Sequence, residues 1–285
     1  MNGDHRARTI ACTSLALVAF AANSLLCRLA LRDTGIDPAS FTTIRFASGA
    51  LMLLLVGAIT DPAPAGSASS WAPAAILVLY AIPFSFAYVG LSAGTGALLL
   101  FGSVQVTMLV GAWRLGERLH TTQWLGLAGA AAGLVYLAMP TLTTPAWDAA
   151  IYMAIAGFAW GLYSLRGRGS PHPIANTRTN FLRSVPFIAL FSLLTIGHAH
   201  LDPRGALFAA ASGAIASGLG YIVWYTALGG LTAVRASLVQ FAVPVLTATG
   251  GVLFLGETIS ARLILAGALV IGGLVVALPG RTREI

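Results

Sequence analysis

Ten stretches of roughly twenty residues run through this chain almost free of charge, at 10–31, 41–59, 71–90, 95–113, 121–139, 148–165, 179–197, 205–227, 233–254 and 261–279. A helix needs about 20 consecutive apolar residues to cross a hydrocarbon core of about 30 Å, whereas a barrel strand needs only about 9–11. Inside lipid every backbone polar group must be satisfied within the protein, so runs of this length predict helices. The connections between them are short, and only 60–70 and 166–178 are loops of any size. Nothing of the 285 residues is left over for a separate soluble domain.

Charge placement supports this reading. Charged residues make up 9% of the chain, against about 25% in ordinary soluble domains. The basic residues are all Arg, and they stand singly or in pairs at the ends of the apolar runs rather than in a phosphate-tracking patch. The net charge of +7 therefore speaks for membrane orientation and against a nucleic-acid partner. An even number of spans puts both termini on one side. If that side is the cytoplasm, eleven arginines lie inside and five outside, which is the favoured sense. Cys12 and Cys27 are about four helical turns apart in one run and predict neither a disulfide nor a metal site.

The chain repeats itself. Leu115-Gly116-Glu117 recurs as Leu255-Gly256-Glu257 at an offset of 140, and Gly133-Leu134-Val135 recurs as Gly273-Leu274-Val275 at the same offset. Phe20-Ala21 with Arg28 matches Phe158-Ala159 with Arg166, and Arg45 matches Arg183, both at 138; Phe84 and Tyr88 match Tyr221 and Tyr225 at 137. Five spans per copy is an odd number, so the copies cross the membrane in opposite senses. The expected architecture is an all-α integral membrane protein of about ten transmembrane helices built as two inverted five-helix repeats. Residues 1–9 form a cytoplasmic tail, 10–139 the first repeat, 140–147 a linker, 148–279 the second repeat and 280–285 a second cytoplasmic tail.

These features resemble the drug/metabolite transporter superfamily, and within it the ten-helix EamA-type permeases. The resemblance covers nearly the whole chain. It rests on the repeat length, Phe158-Ala159-Trp160-Gly161, the Arg in the second helix of each half, Tyr225 with Ala227-Leu228, Pro244, and the paired Leu-Gly-Glu. The first half departs at Ala22-Asn23, where many members have Trp-Gly, and at Val104 opposite Pro244. The resemblance implies a bacterial inner-membrane exporter of small amphipathic metabolites, amino acids first, with a central cavity among spans 1, 3, 4, 6, 8 and 9.

The residues themselves narrow the chemistry. No Asp, Glu, Lys or His falls in mid-span, so proton coupling through a membrane carboxylate has nothing to rest on, and facilitated diffusion or exchange is the simpler mechanism. Glu117 and Glu257 are candidate gating charges paired with Arg114, Arg118 or Arg262, or else hydrated turn residues. Arg45 and Arg183 lie about one turn inside their helices; snorkelling to the interface and a charge clamp on loops or solute are the two readings. His198, His200 and Asp202 sit in a loop with spacing unsuited to a shared metal, so no metal or other cofactor is expected. No Ser/His/Asp or Cys/His set converges, so no catalytic residues and no enzyme activity are expected.

What remains is aromatic and amide. Tyr80 and Phe84 share a face of span 3 with Tyr88; Trp160 and Tyr163 share one in span 6; Tyr221, Trp224 and Tyr225 share one in span 8. Tyr88, Trp224 and Tyr225 lie near span ends and are also readable as interfacial belt residues, while Phe84, Trp160 and Tyr221 belong at mid-depth. Asn23, Gln105 and Gln240 are neutral polar residues well inside spans 1, 4 and 9, where they either bond neighbouring helices or recognise solute. Pro244 lacks an N–H and should free the carbonyl of Gln240, and Pro83 should free Leu79 in the same way. The expectation is a monomeric carrier with a largely uncharged, aromatic-lined central cavity, acting on a small solute within membrane lipid by alternating access. Its rivals are a multidrug or nucleotide-sugar carrier of the same superfamily, a channel, or a membrane-embedded enzyme. Trp160→Ala is expected to lower transport several-fold with stability near wild type.

Overall fold

The computed structural model describes residues 3–60, 70–114, 116, 121–138, 147–168, 170 and 172–277. Glu117, most of the 140–147 linker and the 280–285 tail lie outside the described residues. The described chain is helical and fills ten rods. They are α1 (Gly3–Asp33), α2 (Pro38–Thr60), α3 (Ala72–Gly90), α4 (Ala93–Arg114), α5 (Thr121–Ala138), α6 (Trp147–Gly167) and α7 (Pro173–Thr195). The eighth rod joins α8 (Pro203–Ala211) and α9 (Gly220–Leu228) through a π-helical segment, Ser212–Leu219. The ninth joins α10 (Ala233–Val239) to α11 (Ala242–Leu255), and the tenth is α12 (Ala261–Ala277). Eight rods are long and apolar enough to cross a membrane, and α5 and α12, of 18 and 17 residues, pack mainly on each other.

The helices exceed the apolar runs where their ends are polar. α1 begins at Gly3, so most of the expected tail is helix, and α7 begins at Pro173, absorbing half of the 166–178 loop. The rods alternate in direction, so the side that holds the start of α1 also holds the ends of α2, α4, α6 and α9; it is called here the N-terminal side, and the other the loop side. α6, the first helix of the second copy, starts on the loop side, which is the inversion that an odd repeat requires.

Small residues set the closest approaches. On α6 a Cβ added at Gly157 would lie 2.3 Å from the Leu100 carbonyl oxygen, and one at Gly161 would lie 2.7 Å from Thr107 Cβ. The four-residue spacing puts both glycines on one face, so α6 packs backbone to backbone against α4. Four of the six tryptophans, Trp71, Trp113, Trp124 and Trp147, are 45–57% exposed at helix ends, which makes them the aromatic belt.

On the loop side the connection between α1 and α2 is fixed by Asp37. Its Oδ1 accepts from the Ala39 and Ser40 amides (2.8 and 2.9 Å), capping α2 with Pro38 in the first turn. Its Oδ2 accepts from the His200 amide at 2.8 Å, which ties the loop to the one before α8. Burial opposes ionisation here, but the bonds from Ser40, His200 and Ala39 outweigh it and hold the carboxyl below its usual value. A depressed carboxylate contributes stability that is complete above the unfolded value of about 3.9 and is lost as pH falls through the folded one. Asp37→Ala should therefore cost about 1–2 kcal/mol near neutral pH. Thermal unfolding of both forms should show the difference shrinking below about pH 4; a difference that persists unchanged into acid would show that the carboxylate is not its source.

Candidate functional site: a buried cation in an aromatic cluster

Helical periodicity puts Tyr80 and Phe84 on one face of α3, Tyr80 against Trp160 of α6 and Phe84 against Arg45 of α2, while Phe20 and Asn23 of α1 face the π segment and α9. Trp160 is the hub where these faces meet. Its ring lies 4.7 Å from Tyr221, 5.2 Å from Tyr80 and from Phe20, and 5.8 Å from Tyr163, centroid to centroid. Its indole N–H donates to Gln240 Oε1 at 3.0 Å. Asn23, Tyr80, Phe84, Trp160 and Tyr221 thus come together around one space, with Phe20 and Phe101 completing its wall. That space measures about 10 Å³, room for one water molecule at most, so the expected open cavity is closed in this structure.

Arg45 lies against this cluster, and here the sequence expectation changes. Its side chain does not snorkel: it is 1% exposed. Nε donates to Ser217 Oγ at 3.1 Å, and Nη2 donates to the hydroxyls of Tyr221 (3.1 Å) and Tyr80 (3.2 Å). The guanidinium carbon sits 4.9 Å from the Phe84 ring centre and 5.2 Å from that of Tyr80. Asn23 extends the network, donating from Nδ2 to Tyr80 at 3.1 Å and accepting from Ser212 Oγ at 2.6 Å. Ser212 and Ser217 belong to the π segment, whose wider turn sets both hydroxyls on one network; π turns of this kind recur at functional sites. The centre is therefore not uncharged. Arg183, the repeat-related residue, is partly exposed; it donates to the Ser70 carbonyl and stacks at 5.5 Å on Trp71 at the surface.

The other predicted residues form a second layer. Tyr163 accepts from Asn180 at 3.2 Å, and Tyr225 donates to the Tyr163 carbonyl at 3.1 Å. Trp224 is fully buried against Phe20, and Tyr88 against Phe84, so Trp224, Tyr225 and Tyr88 are interior rather than belt residues. Gln105 is buried with neither end of its amide bonded. The Gln240 side chain is fully engaged, by Trp160, by the Ala236 carbonyl at 3.0 Å and by Met108 sulfur at 3.3 Å. Its main-chain carbonyl is not free: the Val243 N–H donates to it at 3.0 Å, because the chain tightens to a three-residue turn between α10 and α11. α3 runs unbroken through Pro83.

The two ends of the bundle differ. On the N-terminal side a vestibule of about 590 Å³ opens between α1, α2, α7 and α9, with Tyr225 in its wall. Tyr225 meets Tyr163 edge to face at 5.5 Å, and Tyr163 in turn touches Trp160, so this pair lies between the vestibule and the cluster. On the loop side Glu257 pairs with Arg28 at 3.2 Å, not with the arginines the sequence offered, and its other oxygen accepts from the Ala93 amide at the start of α4. Arg262 instead reaches the Tyr136 carbonyl. Gly256, at φ 61°, ends α11 and turns Glu257 inward, and Gly116, at φ 88°, repeats that turn at the end of α4. Arg28 also donates to the Tyr88 and Val89 carbonyls at the end of α3, and Arg32 to the Leu255 carbonyl. These bonds tie the loop-side ends of α1, α3 and α11 to the start of α4. Asp202 caps α8 through Gly205, and the backbone of His200 is bonded to Asp37, so these loop residues serve the backbone.

Sequence reading missed Phe20, Ser212 and Ser217, whose type carries no signal; only the π register brings Ser212 to Asn23 and Ser217 to Arg45.

The chain was compared with known families, proteins and structures. The model of the EamA-like transporter family matches it twice, at residues 8–139 and 147–278. An uncharacterized protein of Pseudomonas aeruginosa is 49% identical over 274 residues, covering 96% of both chains. A protein of Salmonella typhimurium called a "probable amino-acid metabolite efflux pump" is 26% identical over 65% of this chain and 67% of its own. A protein of Escherichia coli with the same name is 26% identical over 71% of this chain and 76% of its own. A solved crystal structure superposes with a TM-score of 0.70 at 19% identity, covering 96% of this chain and 99% of that one, a likeness of fold.

Proposed function

Because this chain belongs to the EamA-like transporter family and is a multi-pass membrane transporter, we propose that it exports small amphipathic metabolites, amino acids first, across a bacterial inner membrane. The observation that carries the reading is the closed aromatic cluster drawn from both repeats, with a polar network through its centre and, on the N-terminal side, a vestibule whose wall residue Tyr225 touches Tyr163 beside Trp160. Efflux-pump relatives from two bacteria agree with the direction and the solute class. Both termini face the cytoplasm by the arginine distribution, so the vestibule is cytoplasmic and the Arg28–Glu257 latch periplasmic.

The carrier works as a monomer by alternating access. Solute enters by the vestibule, displaces the Tyr163–Tyr225 layer, and leaves when the latch opens. Facilitated export or exchange suffices, since no carboxylate lies among the central residues. Proteoliposomes loaded with labelled leucine or phenylalanine should lose label faster when they contain the protein, with no acceleration by an imposed pH gradient. A panel of amino acids retained as in empty liposomes would end the amino-acid reading, and acceleration by the pH gradient would end the uncoupled one.

A further inference from the structure

We propose that the unpaired edge of Arg45, together with the hydroxyls of Tyr80 and Tyr221, receives the carboxylate of the transported solute; this rests on the transport reading above and names the group by which the solute is held. A guanidinium has five N–H donors. Nε and Nη2 of Arg45 are used, while Nη1 is buried and bonded to nothing. The Arg28–Glu257 and Arg32–Asp33 ion pairs lie elsewhere, and among the described residues no carboxylate pairs with Arg45. A charge buried within a spanning helix is expensive. A group kept there at that cost without a counter-charge calls for a partner that comes and goes.

The repeat does not require this arginine to be buried: the repeat-related Arg183 reaches the surface, on Ser70 and Trp71. Neither hydroxyl that contacts Arg45 is consumed by it: each accepts from Nη2 and keeps a proton of its own to donate. Nη1 and the phenols beside Nη2 therefore offer charged and neutral donors side by side, which suits the two oxygens of a planar carboxylate. Phe84 and Tyr80, stacked on the guanidinium, exclude water and strengthen the attraction. Tyr80 and Phe84 join Arg45 to the closed space, since both rings lie against the guanidinium and line that space, and Phe20, Phe101 and Trp160, which line it as well, suit an apolar or aromatic side chain. The solute class is a small carboxylate with an apolar flank, whether or not it also carries an ammonium group.

The test is binding to the purified protein in lipid nanodiscs, read by equilibrium dialysis, with phenylalanine, phenylalaninamide, 2-phenylethylamine and 3-phenylpropionate as probes. Phenylalanine and 3-phenylpropionate should bind at least tenfold more tightly than the amide and the amine. Arg45→Gln should abolish that preference, and Arg45→Lys, a point charge without the fork, should keep a weaker one. Should Arg45→Gln fail to fold, the Tyr80→Phe, Tyr221→Phe double variant keeps the cation and the rings. It should weaken the two acids several-fold and the amide less, so that the preference for acid over amide narrows. Equal binding of acid and amide, an acid preference that survives Arg45→Gln, or no binding of any acid would each overturn the site. Acids that bind but are not carried into liposomes would overturn the transport reading and keep the site, while transport of acid and amide alike would do the reverse.

Discussion

Gly213→Ala should leave little folded protein. Gly213 opens the π segment of the eighth rod and faces α2, where a Cβ would sit 2.0 Å from the Arg45 carbonyl oxygen and 2.1 Å from Ser48 Oγ. A serine side chain can turn away; a helical carbonyl cannot. Gly49 stands across the same contact, where an added Cβ would lie 3.1 Å from the Gly213 carbonyl, so the two backbones approach on two small residues. Overpacking by one methyl commonly costs about 1–3 kcal/mol. Here the neighbour that must move carries Arg45, and moving it breaks the bonds to Ser217, Tyr80 and Tyr221 as well. A loss of about 3 kcal/mol or more follows, a large part of the roughly 5–15 kcal/mol that stabilises a typical domain. Gly272→Ala in α12 is the control, since a Cβ there meets nothing within 4 Å. Monodisperse yield and melting temperature in detergent should be near wild type for Gly272→Ala and collapse for Gly213→Ala. A Gly213→Ala protein that melts within a few degrees of wild type would mean that α2 and the π segment are not seated this closely.

The same contact shows where the sequence stops being legible. The ten rods follow from the lengths of the apolar runs, because a membrane leaves a twenty-residue apolar segment few alternatives. The repeat is legible too: the Leu-Gly-Glu pair marks two equivalent helix ends, and Gly116 and Gly256 both take positive φ to end them. Identity of type, however, hides divergence of role. Arg45 and Arg183 match in the repeat, yet one is buried among rings and the other reaches the surface, because their neighbours differ and not their own positions. Ser212 and Ser217 are invisible in advance for another reason. Five apart, they would diverge on a regular α-helix, and only an i to i+5 register aligns them. Partners across the bundle are hardest of all: Glu257 takes Arg28, 229 residues away, over the basic residues beside it in the chain.

Trp160→Ala should lower both stability and transport per folded molecule, which separates two roles that sequence alone sets against each other. At 2% exposure, with four rings around it, Trp160 is packed as tightly as any core residue. Truncating such a side chain costs about 3–5 kcal/mol. It also leaves Gln240 Oε1 without its donor, and an orphaned buried acceptor costs about 1–3 kcal/mol more. Stability near wild type, expected from a ring beside an open cavity, therefore does not survive the geometry. Transport should fall for a separate reason: the ring walls the closed space that includes Tyr80 and Tyr221, and losing one aromatic contact with a solute is worth about 1 kcal/mol, or several-fold in rate. Trp160→Phe divides the effects, since it restores most of the packing but not the N–H. Its melting temperature should fall between those of wild type and Trp160→Ala, with transport per molecule closer to wild type. Unchanged transport per molecule in Trp160→Ala would reduce Trp160 to packing alone. An unchanged melting temperature would instead mean that the cluster stands open in the resting protein, with the solute rather than its neighbouring rings filling the space beside the indole.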